Sequence, residues 1–195
     1  PNATTVSRVA QGTDGFVAAF NPAGDLEWVY TTNVTGNEEI PAISLYSPNV
    51  GFQITAVVKI GTASFNLVKL SRSNGGVSAT SSTYSASVGL DIKEIDDRGY
   101  LVGGFTGSFD LGTGASPLDL TNAGLSDGFC IKLGGTASTY TIVETASYGG
   151  TGFDIINTLS GEYLAGSFTG SFTLGTSTMT SAGGKDGLLF KFNET

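Results

Sequence analysis

The chain of 195 residues contains no histidine and a single cysteine, Cys130. The absence of histidine removes much of the usual acid–base and nucleophilic chemistry of enzymes. One cysteine cannot form an intramolecular disulfide. Cys130 has no histidine partner or nearby cation in the sequence that would favour a thiolate, so we expect a buried, unreactive thiol. These absences predict a protein that is not an enzyme.

Charged residues are scarce as well, at 13% of the chain. The 9 Lys and Arg against 17 Asp and Glu give a net charge of −8. An acidic chain is a poor match for nucleic acid or for an anionic membrane surface, and we expect neither as a partner. No apolar run approaches the roughly 20 residues that cross a bilayer, so we do not expect membrane insertion.

The chain is rich in glycine, with 29 residues, and in short runs of β-branched and aromatic residues. Hardly any stretch has the spacing of an amphipathic helix. Several runs alternate instead as strands do: in GFCIKL, Phe129, Ile131 and Leu133 share one face. With 39% hydrophobic residues, the chain can bury a core. The sequence therefore predicts an all-β protein of many short strands.

Two segments of the chain are nearly identical. GGFTGSFDLGT begins at Gly103, and GSFTGSFTLGT begins at Gly166. The same interval separates Tyr100 from Tyr163, which lie 63 residues apart. A recurring interval of this length indicates one supersecondary unit that is used repeatedly.

Each unit is predicted to have four antiparallel strands joined by tight turns. The first strand is DIKEIDD from Asp91 or DIINTL from Asp154. The third strand carries a recurring lysine, at Lys69, Lys132 and Lys191, which we expect on a solvated outer face. The connection between the second and third strands varies in length, so we expect it at the surface. The predicted boundaries are a partial unit at 1–35, units at 36–86 and 87–149, and a partial unit at 150–195.

A four-stranded sheet repeated at this interval is typical of a β-propeller blade. We therefore predict a propeller-type array of four-stranded antiparallel blades, with a little over three blades in this chain. Closed propellers have about four to eight blades. We expect further blades of a parent chain, or a second copy in a homo-oligomer, to complete the array, because an uncovered sheet favours association.

The run DGFVAAFNPAGDLEWVYTT from Asp14 and the run SYGGTGFDIINTLSGEYLAGSFTGSF from Ser147 resemble the bacterial β-propeller repeats known as SBBP. These repeats are common in large secreted and cell-surface proteins of Bacteroidota and their relatives. The likeness covers most of the chain and weakens in the second unit, which lacks the FTGSF segment. The resemblance implies an extracellular or cell-surface location.

An Asp-Gly pair precedes the third strand in three units, at Asp14, Asp127 and Asp186. These carboxylates suit either of two roles. Each accepts a backbone N–H in a turn whose glycine has a positive φ, or the three are repeated calcium ligands. No DxDxDG spacing accompanies them, so we favour the turn and expect no cofactor, with Ca²⁺ as the alternative. The acidic group that ends in DDRG at Gly99 likewise suits a hairpin turn better than paired hydrolytic carboxylates.

The preferred hypothesis is a non-enzymatic module that acts as a structural scaffold or as a surface for protein binding and adhesion. Its partner surface is expected on the long connections between second and third strands, represented by Ser108, Phe109, Asp110, Asp119, Asn122, Ser171, Phe172 and Thr176. One alternative is a carbohydrate-binding or glycoside-acting propeller with Trp28 and Tyr30 as its sugar platform. Another is a self-assembling filament or oligomer subunit completed by strand exchange. The expected partner is thus a protein or glycan at the cell surface.

Overall fold

The computed structural model describes residues 6–45, 53–111, 119–136, 139–152, 154–174 and 176–192. These residues form strands, turns and irregular segments, and none of them is helical. The all-β class is therefore confirmed. Nowhere in these ranges is there a helix long and apolar enough to span a membrane. We refer to the segments 1–35, 36–86, 87–149 and 150–195 as units 1 to 4.

The strands follow one another through the four units in chain order. Unit 1 contains β1 (Gly12–Thr13), β2 (Phe16–Phe20) and β3 (Leu26–Thr31). Unit 2 contains β4 (Gly36–Ser44), β5 (Gln53–Ile60), β6 (Ser64–Ser71), β7 (Val77–Thr80) and β8 (Tyr84–Ala86). Unit 3 contains β9 (Gly89–Ile95), β10 (Tyr100–Thr106), β11 (Ser108–Asp110), β12 (Leu120–Thr121), β13 (Asp127–Thr136) and β14 (Thr139–Gly150). Unit 4 contains β15 (Ile155–Ser160), β16 (Tyr163–Phe168), β17 (Ser171–Leu174), β18 (Ser177–Thr180) and β19 (Asp186–Lys191).

Within each unit, the main strands pair with their neighbours in an antiparallel meander. The order is β4-β5-β6-β7 in unit 2 and β9-β10-β13-β14 in unit 3. Unit 4 contributes β15-β16-β19, and unit 1 contributes the hairpin β2-β3. The turn of that hairpin is closed by the Gly24 N–H, which donates to the Asn21 carbonyl at 2.9 Å. Asn and Gly at these positions are the residues that such a turn favours.

The sheets are larger than the expected four strands, because each long connection between second and third strands folds back onto the preceding unit. β11 and β12 join the strands of unit 2 in an eight-stranded sheet, and β17 and β18 join those of unit 3 in a six-stranded sheet. Phe109 pairs with Ala86, and Phe172 pairs with Gly150. We call β11 with β12, and β17 with β18, the back-folded hairpins.

The repeated FTGSF segment makes this change of sheet. Its glycine has a φ of 83° at Gly107 and of 68° at Gly170, a backbone conformation that favours glycine. The Ser87 N–H donates to the Ser108 carbonyl at 2.7 Å, and in unit 4 the Thr151 N–H donates to the corresponding carbonyl of Ser171 at 2.9 Å. In both units the FTGSF segment carries the chain from one sheet to its neighbour.

A β-bulge fixes the alignment of the third strands. It lies at the same place in three units, between Ala19 and Phe20, Lys69 and Leu70, and Lys132 and Leu133. A bulge inserts one residue at a defined point of the ladder and therefore serves as a register mark. The structural equivalence of Lys69 and Lys132 follows from it.

The first strands align differently from the sequence expectation. Gly103 lies opposite Ile92, and Gly166 lies opposite Ile156. Asp154 is therefore equivalent to Leu90 and not to Asp91. Because a shift of one residue moves a side chain to the other face of a strand, Asp154 is buried whereas Asp91 is exposed.

The units stack face to face, with one hydrophobic cluster in each interface. We call the face toward the preceding unit the front face and the face toward the following unit the back face. Val17 and Trp28 of unit 1 pack on Val68 and Leu70 of unit 2. The next two clusters have the same arrangement: Phe65 and Leu67 with Leu101, Phe129 and Ile131, and then Val102 and Cys130 with Leu164, Leu188 and Phe190. Each interior interface thus joins a back face to a front face.

The recurring lysines lie on back faces and have three environments. Lys69 is fully buried, so the expected solvated position is wrong for this residue. Lys132 is half-buried, with its Nζ 3.8 Å from the centroid of the Tyr100 ring. Lys191 is exposed and pairs with Glu162 at 2.6 Å. The solvent exposure of each lysine therefore depends on how much of its side chain the following unit covers.

Candidate functional site

The aspartates of the Asp-Gly pairs accept backbone hydrogen bonds. Asp127 Oδ2 accepts the N–H of Ala123 at 2.9 Å, and Asp186 Oδ2 accepts the N–H of Ala182 at 2.7 Å. Asp14 Oδ2 accepts the N–H of Gln11 at a longer 3.2 Å. The three carboxylates belong to different units and act separately, as the turn interpretation expects. Within the described ranges, no group of three His, Cys, Asp or Glu residues is placed to hold a metal ion.

The glycine of the Asp-Gly pair has another role than the expected one. Gly15, Gly128 and Gly187 do not have positive φ. A Cβ on Gly15 would lie 2.7 Å from Cγ1 of Ile40, and a Cβ on Gly128 would lie 2.7 Å from Cγ1 of Ile156. Each of these isoleucines belongs to the first strand of the following unit. The missing Cβ of each glycine therefore leaves a space, which we call a seat, into which an isoleucine of the next unit packs. The predicted positive φ is wrong.

Two aspartates near the junction of units 3 and 4 are buried. Burial raises the pKa of Asp127, and the N–H groups of Ala123 and Gly124 oppose the rise in part. Burial also raises the pKa of Asp154, whose Oδ2 accepts the Gly150 N–H at 2.8 Å. The charge of Asp127 adds to the rise at Asp154. Both carboxylates thus accept backbone N–H groups at the interface between the two units.

The predicted sugar platform is inside the core. Trp28 is buried, its ring packs against the backbone of Gly75, and its Nε1–H donates to the Arg72 carbonyl at 2.9 Å. Tyr30 is half-buried in the same cluster. A sugar needs the open face of a ring for stacking. Trp28 offers none in this fold, and we correct its assignment to a structural residue.

The predicted partner loops form the back-folded hairpins, and their residues divide into three groups. Phe109 and Phe172 are fully buried and anchor the hairpins in the interfaces. Asp119 Oδ1 accepts the N–H of Leu111 at 2.9 Å, and Asn122 Oδ1 accepts that of Gly107 at 2.8 Å, so these two side chains hold the loop backbone. The remaining members lie at the surface, with Ser171 half-buried and the side chains of Ser108, Asp110 and Thr176 exposed.

The DDRG segment and the cysteine match their predictions. Asp96 Oδ1 accepts the N–H groups of Arg98 and Tyr100, at 3.0 and 2.8 Å, in the turn between β9 and β10. Cys130 is buried between units 3 and 4. Burial, with the charges of Asp96 and Glu144, raises the pKa of its thiol to about 12. The thiol is therefore protonated and unreactive at neutral pH.

A cavity of about 530 Å³ opens where units 2, 3 and 4 meet. It lies at the ends of the second strands and the beginnings of the first strands. Its polar lining consists of four hydroxyl residues and three charged residues: Thr62, Thr106, Ser126, Thr169, Asp91, Asp154 and Lys185. Leu90, Phe105 and Ile155 contribute the apolar part. The volume and mixed lining suit a small polar ligand.

The cavity's edge is built from repeated contacts between units. The Leu90 N–H donates to the Thr62 carbonyl at 2.9 Å, and the Asp154 N–H donates to the Ser126 carbonyl at 3.0 Å. The Asp91 carboxylate is paired with Lys93 at 2.8 Å, and Lys185 adds an exposed cation to the lining. No sequence motif pointed to this site, because its residues come from three units. Comparisons with protein-family models, with curated proteins and with solved structures find no match to this chain.

Proposed function

We propose that the chain is a non-enzymatic β-propeller-type module of the SBBP kind, which serves a secreted or cell-surface protein as a rigid scaffold and binding surface. The observation that carries this proposal is the stack of antiparallel units with equivalent interfaces. β9, the first strand of unit 3, contacts both β4 and β15, the first strands of units 2 and 4. First strands that neighbour one another around an axis are the arrangement of propeller blades.

The back-folded hairpins support the scaffold role. Each hairpin ties one unit to the preceding unit through backbone pairing and through a buried phenylalanine. A stack held in this way keeps its surface residues in fixed relative positions. Fixed positions favour binding, because little conformational entropy is lost when a partner docks.

The best surface for a protein partner is β18, the edge strand of the six-stranded sheet. Its four residues, Ser177 to Thr180, are all exposed. They offer three hydroxyls along one strand, and the outer edge of the strand offers backbone groups for pairing with an extended segment. The surface lies on the hairpin that Phe172 anchors, so it is both exposed and rigid.

Small-angle X-ray scattering tests the architecture. A propeller-type arc predicts a curved, compact envelope, whereas a straight stack of sheets predicts an elongated one. An elongated envelope for the monomer would contradict the proposal.

Surface plasmon resonance over a panel of immobilised extracellular-matrix proteins tests the binding role. We expect at least one to bind the parent chain, and Thr180→Lys in β18 to weaken that binding about tenfold. Thr80→Lys on the exposed β7 is the matched control and is expected to bind as the parent does. No binding anywhere on the panel, or equal binding by Thr180→Lys, would refute this role.

Carbohydrate binding is the second candidate function, and the cavity favours it. Hydroxyl side chains beside apolar ones complement the alternating polar and apolar surface of a saccharide. Lys185 adds a cation that suits an acidic sugar. The proposed site is thus the junction of three units and no longer the Trp28 ring.

A glycan array with the parent chain and with Thr106→Val tests this candidate. Selective binding that Thr106→Val abolishes is the expected result. Thr178→Val on the exposed β18 changes the same groups away from the cavity and should leave binding intact. An array without a selective signal, or equal loss in both variants, would remove the cavity from consideration.

A further inference from the structure

Two terminal faces of the stack carry exposed apolar residues. We call the front face of unit 1 the head face, which includes Phe16, Ala18, Phe20 and Val29. We call the back face of unit 4 the tail face, which includes Tyr163, Gly187, Leu189 and Lys191. No described residue covers the tail face, and only the segment 6–10 borders the head face.

The head face has the chemistry of a buried interface. The shared bulge makes Phe16 equivalent to Phe129 and Phe20 equivalent to Leu133. Phe129 and Leu133 are 0% and 1% exposed under unit 2, whereas Phe16 and Phe20 are 67% and 62% exposed. Phe16 and Phe20 are thus the kind of residue that is buried in an interior interface, here on an exposed face. Exposed rings in such a patch mark an interaction site.

The tail face shows the same contrast. Tyr163 is paired with Lys191 as Tyr100 is with Lys132. Tyr163 is 52% exposed, against 4% for Tyr100. Leu189, two residues before the lysine, is 72% exposed, whereas Leu67 at the same position of unit 2 is fully buried.

The seat at Gly187 is also open. A Cβ on Gly187 would meet no atom within 4 Å, whereas the equivalent Gly128 is filled by Ile156 of the following unit. Three features of the tail face, the tyrosine, the leucine and the glycine, are therefore those of a back face that has no front face against it.

Every interior interface described above joins a back face to a front face, and the described residues leave one face of each kind exposed. We propose that a second copy of the chain docks head to tail, with the tail face of one copy on the head face of the next. This inference rests on the stacked-unit function proposed above. The contact continues the internal stacking and requires no exchange of strands.

The shape of the head face fits this occupant. A groove of about 470 Å³ runs between the segment Val6 to Ala10 and the strands β2 and β3, and it is lined by Phe16, Ala18 and Phe20. Such a groove accepts projecting apolar side chains, and Leu189 and Tyr163 project from the tail face. Because the two surfaces differ, the interface is heterologous, and repetition of it gives a ring or a filament.

The test uses one charged substitution on each face. Analytical ultracentrifugation of the parent chain over a hundredfold concentration range should show growing assemblies. Leu189→Glu and Phe16→Glu should each remain monomeric, because either change buries an unpaired carboxylate in the interface. Both residues are largely exposed, so at a low concentration, where copies do not associate, both variants should keep the parent's melting temperature.

Mixing the two variants gives the decisive measurement. Leu189→Glu retains its head face and Phe16→Glu retains its tail face, so an equimolar mixture should form dimers of one copy each and nothing larger. Val88→Glu, at another exposed position, is the matched control and should assemble as the parent does. A parent that is monomeric at every concentration, or a mixture that stays monomeric, overturns the inference. Neither result changes what the binding assays of β18 and the cavity measure. The failure of head-to-tail assembly can therefore be distinguished from the failure of the proposed binding function.

Discussion

The ammonium group of Lys69 lies 4.4 Å from the ring centroid of Tyr140, so a lysine of unit 2 is enclosed by the fourth strand of unit 3. Its Nζ also donates to the Thr139 carbonyl at 3.3 Å. On the same face, the Thr55 hydroxyl and the Tyr140 hydroxyl are 2.8 Å apart. The interface between these units thus combines an apolar core with a buried polar rim that the next unit completes.

We expect Lys69→Met to stabilise the protein at neutral pH. Burial lowers the pKa of Lys69, which means that the charged form is less favourable in the folded chain than in the unfolded one. The unfolded chain therefore binds more protons between the lowered value and the usual 10.5, and the free energy of unfolding rises with pH through that window. Methionine keeps the packing on the Tyr140 ring without the charge.

Urea denaturation measures this effect. The free energy of unfolding at pH 7 should rise by on the order of 1 kcal/mol in Lys69→Met, and its increase toward pH 10 should disappear. Lys191→Met, at the equivalent but exposed position, should change stability by less than about 0.5 kcal/mol. A destabilised Lys69→Met would mean that the ring contact outweighs the desolvation of the ammonium group.

We expect the protein to gain stability as the pH falls through the raised pKa values of Asp127 and Asp154 toward 3.8. Burial raises the pKa of Asp127 and Asp154 above the usual 3.8. Between that value and the raised ones, the folded chain binds more protons than the unfolded chain, so unfolding becomes easier as the pH rises through the window. Above the raised values, the penalty is fully present.

Denaturation curves at several pH values check this dependence. Asp127→Asn and Asp154→Asn keep a side-chain oxygen that accepts the backbone N–H, and each should flatten the slope at pH values just above 3.8. Asp97→Asn removes one exposed carboxylate and controls for net charge. A parent protein that loses stability steadily on acidification through this range would show that other groups dominate.

A matched pair of glycines separates a filled seat from an open one. Gly128→Ala places a Cβ 2.7 Å from Cγ1 of Ile156 and 3.0 Å from its backbone N. Overpacking of this kind costs about 1 to 3 kcal/mol. Gly187→Ala meets no atom within 4 Å and should be neutral or slightly stabilising. Thermal denaturation at a low protein concentration, where copies do not associate, compares the two, and equal losses would contradict the assignment of the seats.

The hairpin of residues 171–180 should depend on Phe172. This ring is fully buried among Phe168 and Phe190, with centroids 5.6 and 6.4 Å away. We expect Phe172→Ala to lower the free energy of unfolding by about 3 to 5 kcal/mol. Met179→Ala changes the residue paired with Phe172 at the surface and should cost less than about 1 kcal/mol. Hydrogen exchange of the β17 amides should accelerate in Phe172→Ala alone.

Much of the fold was accessible from the sequence because its signals are local. Alternation with period two identified the strands, and the segment DIINTLSGEYLAG forms β15 and β16 as expected. The recurring lysine gave the correct alignment of the third strands, since a strand keeps its own spacing whatever packs on it. Cys130 is buried as expected, although Arg98 and Lys132 lie close enough to oppose in part the rise in the pKa of its thiol.

The candidate site was accessible only in part. The sequence predicted that the connections after the FTGSF segments form a partner surface. It predicted that they lie at the surface because their lengths vary. The structure buries Phe109 and Phe172, since these connections pair with the preceding unit. The same holds for Trp28. The sequence predicted that its ring stacks on a sugar, but the neighbouring unit covers the ring.

The sequence by itself determined the all-β class, the repeated unit and the strands within it, because each depends on residues near one another in the chain. Only the tertiary structure decided that Lys69 is the buried lysine and that Asp154 is a buried aspartate. It also decided why the Asp-Gly pairs need glycine, and which residues meet in the cavity. Each of these environments depends on which face of a neighbouring unit packs on the strand. A side chain's own sequence neighbours cannot specify that face, because contact between units is made by residues far apart in the chain.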